Sequence, residues 1–448
     1  MKHTQMPIHV IGLGVNQVAH LDEAAQAVLA SLSPNDIVLG APRQHETIAH
    51  YVHLARREDL PKLSVLKEAF ANWQSEGAKQ VVVLASGDPL YYGIGAWLMR
   101  TFSLESLRFY PNVSSIQVAC HRLGLSLQEV QVVSLHGRPL ASLRRYLQSN
   151  KTLVLLTDQY SQPQHIAQEC VQAGLDQSEI TVCEALGYEQ EKVRTFVAKS
   201  LLDTEIEWDP LNVVVLKTSP QASFYPSSVG IPDVSFVTDK GDGKGMITKR
   251  EVRLVILSYM DIQQGDTVWD IGAGCGGVSV EMAYWHPRSQ IIAIEHHPDR
   301  LACLTANQER FGVMQNLSIV SGRAPEVLVD LLVDNKKQDG KPNKVFIGGS
   351  DGELMALMSQ VWDLLPDAGC LMVSAVTEET KYQVMQFAQQ RNQAQDADEQ
   401  SLQVSIAKGE RLAGQRLFRP SLPVTLYHFR KYAASTSAIN TNHKENAQ

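Results

Sequence analysis

The 448-residue sequence has no apolar run approaching the ~20 residues that a membrane-spanning helix needs, so no membrane partner is expected. Its amino terminus, MKHTQMPIHVIGLG, lacks the long apolar stretch of a secretion signal and flows directly into a strand-turn pattern. Cysteine is sparse and scattered, at Cys120, Cys170, Cys183, Cys275, Cys303 and Cys370. No pair has CxxC spacing, which argues against a zinc site or a disulfide framework, and no metal site is expected. Thiols of this kind suit a reducing cytoplasm. A basic face is missing as well. Residues up to Lys240 carry 19 basic and 24 acidic side chains and the remainder 21 and 24, for a net charge of −8. Neither half has the charge of a nucleic-acid module, so no nucleic-acid partner is expected.

What is present is the composition of an ordinary soluble protein, 44 % hydrophobic and 20 % charged, in a chain long enough for two domains of roughly 200 residues each. In the first half, short apolar β-branched runs recur at Ile8–Ile11, VVVLAS, VQVVSL, TLVLLT and NVVVL, with helix-like stretches between several of them. That alternation predicts an α/β domain with buried strands. From Ser219 to about Gly245 the sequence turns rich in Ser, Pro, Gly and Asp and reads as a linker. A second α/β series follows. It runs as helix (TKREVRLVILSYM), strand (DTVWDIG), helix (GGVSVEMAYW), strand (SQIIAIE), helix (DRLACLTANQERFG), then strands NLSIVSG, KVFIGG, CLMVSAV, SLQVSIAKG and VTLYHFRK. The expected domains are residues 1–220 and 246–434, with a linker at 221–245 and a disordered tail at 435–448.

The strongest chemical signal is VWDIGAGCGG, a strand leading into a glycine turn with Gly272, Ala273, Gly274, Cys275 and Gly276. Glycine permits positive φ and close approach of backbone to a ligand. Gly272, Gly274 and Gly277 also satisfy GxGxxG, so a dinucleotide site is a rival reading. Asp270, just ahead of the first glycine, would repel a pyrophosphate and suits the cationic amino-acid end of S-adenosylmethionine instead. Glu295, closing the next strand, is positioned to accept ribose hydroxyls of either cofactor. The SGRAPE loop, with Arg323 and Ala324, falls where an adenine-contacting loop is expected. In the first half ASGDPLYYGIG, PNVSSIQVACHRLGL and VSLHGRP lie at strand ends, where open α/β sheets bind ligands. His136 reads equally well as a substrate contact or as a loop histidine. Arg138 is the better anion contact, because its guanidinium can grip a carboxylate with two hydrogen bonds.

These residues together resemble a known pair of families. VIGLGVN, GAPRQHE, ASGDPLYYGIG, PNVSSIQVACHRLGL and VSLHGRP resemble the tetrapyrrole methylase domain that acts late on the corrin precursor. GKGMITKREVR, DIGAGCGG, the IIAIE acid, SGRAPE and FIGGS resemble the class I methyltransferase domain of the same pathway. The fused pair resembles the precorrin-6Y methyltransferase family of cobalamin biosynthesis, from Pro7 to about Tyr432. The resemblance implies a tetrapyrrole methylase fold of two α/β subdomains followed by a Rossmann-like class I domain, each with its own S-adenosylmethionine. It implies methylation of carbons 5 and 15, loss of carbon dioxide from the carbon 12 acetate, and a cytoplasmic homo-oligomer, dimer or tetramer. Carried over by position, cofactor contacts are Gly87, Asp88, Tyr92, Gly93 and Ser115 in the first domain. In the second they are Thr248, Asp270, Gly272 through Gly276, Glu295, Arg323 and Ala324. Cys275 stands where the family turn commonly has serine. Candidate substrate contacts are Arg43, His136, Arg138, Arg250, Gly348 and Gly349, with Lys249, Arg411 and Arg416 as further cations. No side chain is assigned as catalytic acid or base. The rival readings are a class I enzyme acting on RNA or protein, a nicotinamide-dependent oxidoreductase, and a tetrapyrrole-binding protein without turnover.

Overall fold

The computed structural model describes residues 6–241, 243–334 and 341–433. The expected disordered tail lies outside them. The chain divides into two compact units after Phe224, with one exception: Ala141–Tyr146 belongs to the second. No helix among the described residues is long and apolar enough to cross a membrane.

The first unit holds two five-stranded sheets. The first is wholly parallel: β1 (Ile8–Gly12), β2 (Ile37–Gly40), β3 (Arg56–Asp59), β4 (Val81–Ala85) and β5 (Leu107–Tyr110), ordered β3-β2-β4-β1-β5. All five residues of β4 are buried, and their alternation feeds both faces. Val81 and Val83 pack with Leu66 and Phe70, while Val82 and Leu84 pack with Leu29 and Ile48. Each such side chain contributes about 1.5–3 kcal/mol of burial. β3, sequence RRED, sits at the edge, where charge discourages pairing with another chain. Register sets Gly12 opposite Ala85, so the turns after β1 and β4 emerge side by side.

The second sheet is mixed: β6 (Gln131–Ser134), β7 (Thr152–Leu156), β8 (Glu179–Glu184), β9 (Lys192–Val197) and β10 (Asn212–Lys217), ordered β6-β7-β10-β8-β9. Only β6 and β7 run parallel; β10 is antiparallel to both neighbours. These are the two α/β subdomains that the resemblance implies.

The second unit is built on a seven-stranded sheet. Its strands are β11 (Thr267–Ile271), β12 (Gln290–Glu295), β13 (Leu317–Ser321), β14 (Lys344–Ile347), β15 (Cys370–Ala375), β16 (Ala397–Val404) and β19 (Val424–Lys431). The order is β13-β12-β11-β14-β15-β19-β16; the first five are parallel, and β19 is antiparallel to both neighbours. Helices Gly277–Trp285 and Pro298–Arg310 make the crossovers on one side of β11. This is the Rossmann-like class I arrangement. β11 lies at the point where the strand order reverses, and the crevice outside the carboxyl ends of β11 and β14 is where such sheets take ligands. SLQVSIAKG was expected as one strand, but β16 stops at Val404. The chain then forms a separate hairpin, β17 (Ala407–Leu412) with β18 (Gln415–Pro420), closed by Ala413 and Gly414 at φ 48° and 82°.

Two segments near the expected boundaries join the second unit. From Tyr225 onward the presumed linker is part of the second unit. Gly230 and Ile231 donate their amides to the Glu281 carboxylate at 2.9 and 3.0 Å, and the Val237 amide donates to Asn307 at 2.8 Å. Arg253, fully buried, pairs with Glu281 at 2.8 Å and Asp233 at 2.6 Å. The segment has a tether's composition, yet buried side chains take up its polar backbone. Ala141–Tyr146, expected in the first domain, joins the second unit through Arg145. Its guanidinium donates to the Ala283 carbonyl at 2.9 Å and the Asn316 side chain at 3.1 Å.

Candidate functional site

In the first unit the turns after β1 and β4 are tied to each other. The Gly87 amide donates to the Gly14 carbonyl at 2.9 Å, and the Gly14 amide returns the bond at 3.3 Å. Gly87 has φ +66°, and an added Cβ there would lie 3.3 Å from the Ser114 backbone, so a side chain is disfavoured twice over. Ser114 caps the helix Ser115–Leu123: its hydroxyl accepts the Gln117 amide, and the Gln117 side chain accepts the Ser114 amide. Tyr92, at φ 59°, donates its hydroxyl to the Val132 carbonyl at 3.2 Å.

A cavity of about 1400 Å³ opens over these turns, walled by loops of both sheets. Gly87, Tyr92, Gly93, Ser115, Arg43, His136 and Arg138 all line it. Asp88 does not. It borders a neighbouring hollow of about 630 Å³ with Asn112 and Gln117. Its Oδ1 accepts the Leu90 and Tyr91 amides and its Oδ2 the Asn112 amide, so its visible role is to hold the turn. Arg43 donates to the Tyr188 hydroxyl at 3.1 Å and to Ser86 at 3.3 Å, while Arg138 donates to the Ser134 carbonyl at 3.0 Å. His136 contacts the Thr157 carbonyl at 3.3 Å.

Sequence reasoning passed over Asp158 and Tyr188, which line the same cavity. Burial pushes the Asp158 carboxyl up, but hydrogen bonds from Gly137, Tyr160 and Ser161 outweigh it and hold it below its ordinary value. Asp158 thereby fixes the HGRP loop. The signal was there in TDQYS, an acid directly after a strand with a serine three residues on.

In the second unit Gly272, Gly274 and Gly276 have φ +72°, +60° and +87°. A Cβ on Gly272 would meet the Gly349 amide at 2.7 Å, and one on Gly274 would meet the Met246 carbonyl at 2.5 Å. The turn is thus wedged between the exposed Gly348–Gly349 turn after β14 and the segment containing Thr248. The Cys275 amide donates to Met246 at 2.9 Å, and Asn307 donates to the Cys275 carbonyl at 2.8 Å. Burial pushes the Cys275 thiol up to about 12, so it stays protonated and inert.

Glu295 is buried at the end of β12. Its Oε2 accepts the Gly274 amide at 2.8 Å and its Oε1 the His296 and His297 amides at 2.9 Å each. Of the carboxylate's four acceptor positions, one remains free on Oε2. Arg323 is engaged by Glu353 at 3.1 Å and by the Asp351 carbonyl, while Ala324 is buried. Arg250 opens the helix Arg250–Met260, with its amide on Asp233. Arg411 and Arg416 face each other across the hairpin.

Asp270 departs from its expected setting. It is 1 % exposed, takes a hydrogen bond from Ser279 on Oδ2, and leaves Oδ1 without a partner among the described residues. Burial raises its carboxyl to about 7. Asp270 is therefore a buried carboxyl whose charge is not fixed at neutral pH. Even so, the edge fits a cationic nucleoside better than a pyrophosphate, because the buried Glu295 carboxyl lies at the end of β12 and Arg323 is already paired with Glu353.

Two α/β units, each with a glycine turn at the carboxyl edge of a parallel sheet, define a tandem methyltransferase. Residues 7–202 match the tetrapyrrole (corrin/porphyrin) methylases and residues 239–431 the precorrin methyltransferase domain. A precorrin-6Y C(5,15)-methyltransferase (decarboxylating) of Sinorhizobium sp is 32 % identical over 424 residues, 94 % of this chain and 96 % of that protein. The chain belongs to the precorrin-6Y C(5,15)-methyltransferase (decarboxylating) family, whose members use S-adenosylmethionine. Two shorter relatives match a third of it each. A probable cobalt-precorrin-6B C(15)-methyltransferase (decarboxylating) of Saccharolobus solfataricus is 32 % identical over 34 % of this chain and 71 % of its own. A cobalt-precorrin-7 C(5)-methyltransferase of Salmonella typhimurium is 33 % identical over 31 % and 66 %.

Proposed function

We propose that this chain methylates carbons 5 and 15 of precorrin-6Y, or of its cobalt form, and removes the carboxyl group of the carbon 12 acetate. The first unit takes carbon 5; the second takes carbon 15 and the decarboxylation. The observation carrying this reading is that one chain, similar end to end to an enzyme named for two methylations, has two separate glycine-turn edges. The existence of shorter relatives named for one carbon each supports the division of labour.

S-adenosylmethionine, one per unit, supplies the methyl group as a sulfonium. In the first unit Gly87, Gly93 and Ser115 offer close backbone approach, with Tyr92 beside them. In the second, Gly272 to Gly276 present the turn, Glu295 offers its free Oε2 acceptor to a ribose hydroxyl, and Ala324 walls the adenine side. Transfer to a ring carbon depends chiefly on alignment, with reacting atoms about 3–3.5 Å apart. Decarboxylation breaks the bond to the carboxyl carbon and leaves its electron pair in the conjugated ring, which a proton then quenches. The protein's part is to hold the acetate out of the ring plane and away from water. The same reading implies a cytoplasmic homo-oligomer. Incubation with reduced precorrin-6 and S-adenosylmethionine should give a product two methyls heavier and one carbon dioxide lighter by mass spectrometry. An unchanged substrate mass sinks the reading.

A further inference from the structure

The large cavity of the first unit has a charge out of keeping with the rest of the protein. The chain has a net charge of −8, yet the cavity is lined by four cations, Arg43, Lys62, Arg100 and Arg138, against one carboxylate, Asp158. That carboxylate is consumed by hydrogen bonds from Gly137, Tyr160 and Ser161. Arg43 and Arg138 are steadied by neutral partners, as described above. Lys62 and Arg100 differ: neither side chain has a hydrogen bond or ion pair among the described residues.

Their placement follows from topology. Lys62 lies just beyond the carboxyl end of β3 and precedes the helix Leu63–Ser75; Arg100 lies in the last turn of the helix Gly95–Thr101 that follows β4. Both are on the first-sheet wall. Gly137, Asn212 and Cys183 lie on the second-sheet wall opposite. The same wall also carries apolar side chains, with Leu63, Leu90 and Trp97 lining the cavity and Leu63 and Leu90 exposed at 41 % and 48 %. Apolar surface left open beside unpaired cations matches a ligand that is both flat and apolar and fringed with carboxylates.

We propose that Lys62 and Arg100 form a carboxylate-gripping subsite on this wall, which positions the acid side chains of the tetrapyrrole for methyl transfer in the first unit. The proposal rests on the reading of the first unit as a tetrapyrrole methylase. It assigns substrate grip to two residues that sequence reasoning passed over, apart from the glycine turns. Charge is the working property, so binding weakens as salt rises.

The test uses the full-length chain with Lys62→Gln and Arg100→Gln combined. With S-adenosylmethionine saturating, KM for the carbon 5 methylation should rise about tenfold or more while kcat stays within about twofold, as expected for two charge-assisted contacts. Lys62→Arg with Arg100→Lys, which keeps both charges, should retain most of the affinity, as a merely structural role would not require. Uroporphyrin, a porphyrin with eight carboxylates, serves as a binding probe through its fluorescence. Its dissociation constant should rise in the Gln variant and less in the charge-keeping one. An unchanged KM in the Gln variant, with wild type active, overturns the subsite and leaves the functional reading standing. If wild type transfers no methyl group, the reading fails. The subsite then stands or falls on uroporphyrin, surviving if the Gln variant binds it more weakly and ending if binding is equal.

Discussion

At the level of single residues, the two acids beside the glycine turn have different tasks. Glu295 accepts three backbone amides, one of them from Gly274, so it shapes the turn before it meets any ligand. Asp270 is buried, with its carboxyl raised from 3.8 to about 7 by burial. The sequence made the presence and position of both acids legible. It did not reveal that one is buried and the other already bonded, because those facts depend on Ser279 and on the fold of the turn. For Asp270 the folded state holds its proton more tightly than the unfolded state. Its stabilising contribution is complete below the unfolded value of 3.8 and is lost as pH rises through about 7. Asp270→Asn cannot ionise. The unfolding free energy of wild type minus that of Asp270→Asn should therefore fall between about pH 4 and 7, by at most about 1.4 kcal/mol per pH unit. Urea titrations at pH 5 and pH 7 measure it; parallel stabilities at the two pH values contradict the assignment.

Among elements, the decisive unit is the buried cluster joining residues 230–236, the helix Arg250–Met260 and the helix Gly277–Trp285. Arg253 and Glu281 are both fully buried and paired, and Arg253 also lies over the Phe236 ring at 4.9 Å. Removing one partner leaves the other charge stranded. Arg253→Leu should cost about 3–5 kcal/mol and lower the Tm of the second unit, followed by thermal unfolding; a cost below about 1 kcal/mol contradicts the role. Both helices were legible in the sequence, as were the central strands β4, β7, β10 and β11. What escaped notice was the short, charged or exposed pieces. RRED in β3 carries no apolar alternation, and every residue of β17 is exposed. Such edges are set by their neighbours, which local pattern does not encode. The packing of residues 225–241 was hidden for the same reason: Ser, Pro and Gly signal irregular backbone but not whether that backbone is free.

For the molecule as a whole, the sequence placed most first-unit site residues on one cavity, because glycine turns at strand ends are fixed by the strands before them. It did not reveal the cavity's cationic balance, which draws Lys62 and Arg100 from loops far apart in sequence. Nor did it show that Asp88 borders a different hollow. The central claim is that each unit holds its own cofactor. Equilibrium dialysis with labelled S-adenosylmethionine tests it directly, on wild type and on Gly274→Val, whose side chain would collide with the Met246 carbonyl at a left-handed backbone position. The account predicts two molecules bound per wild-type chain and one per variant chain of unchanged circular dichroism. One molecule per wild-type chain, or none in the variant, contradicts it.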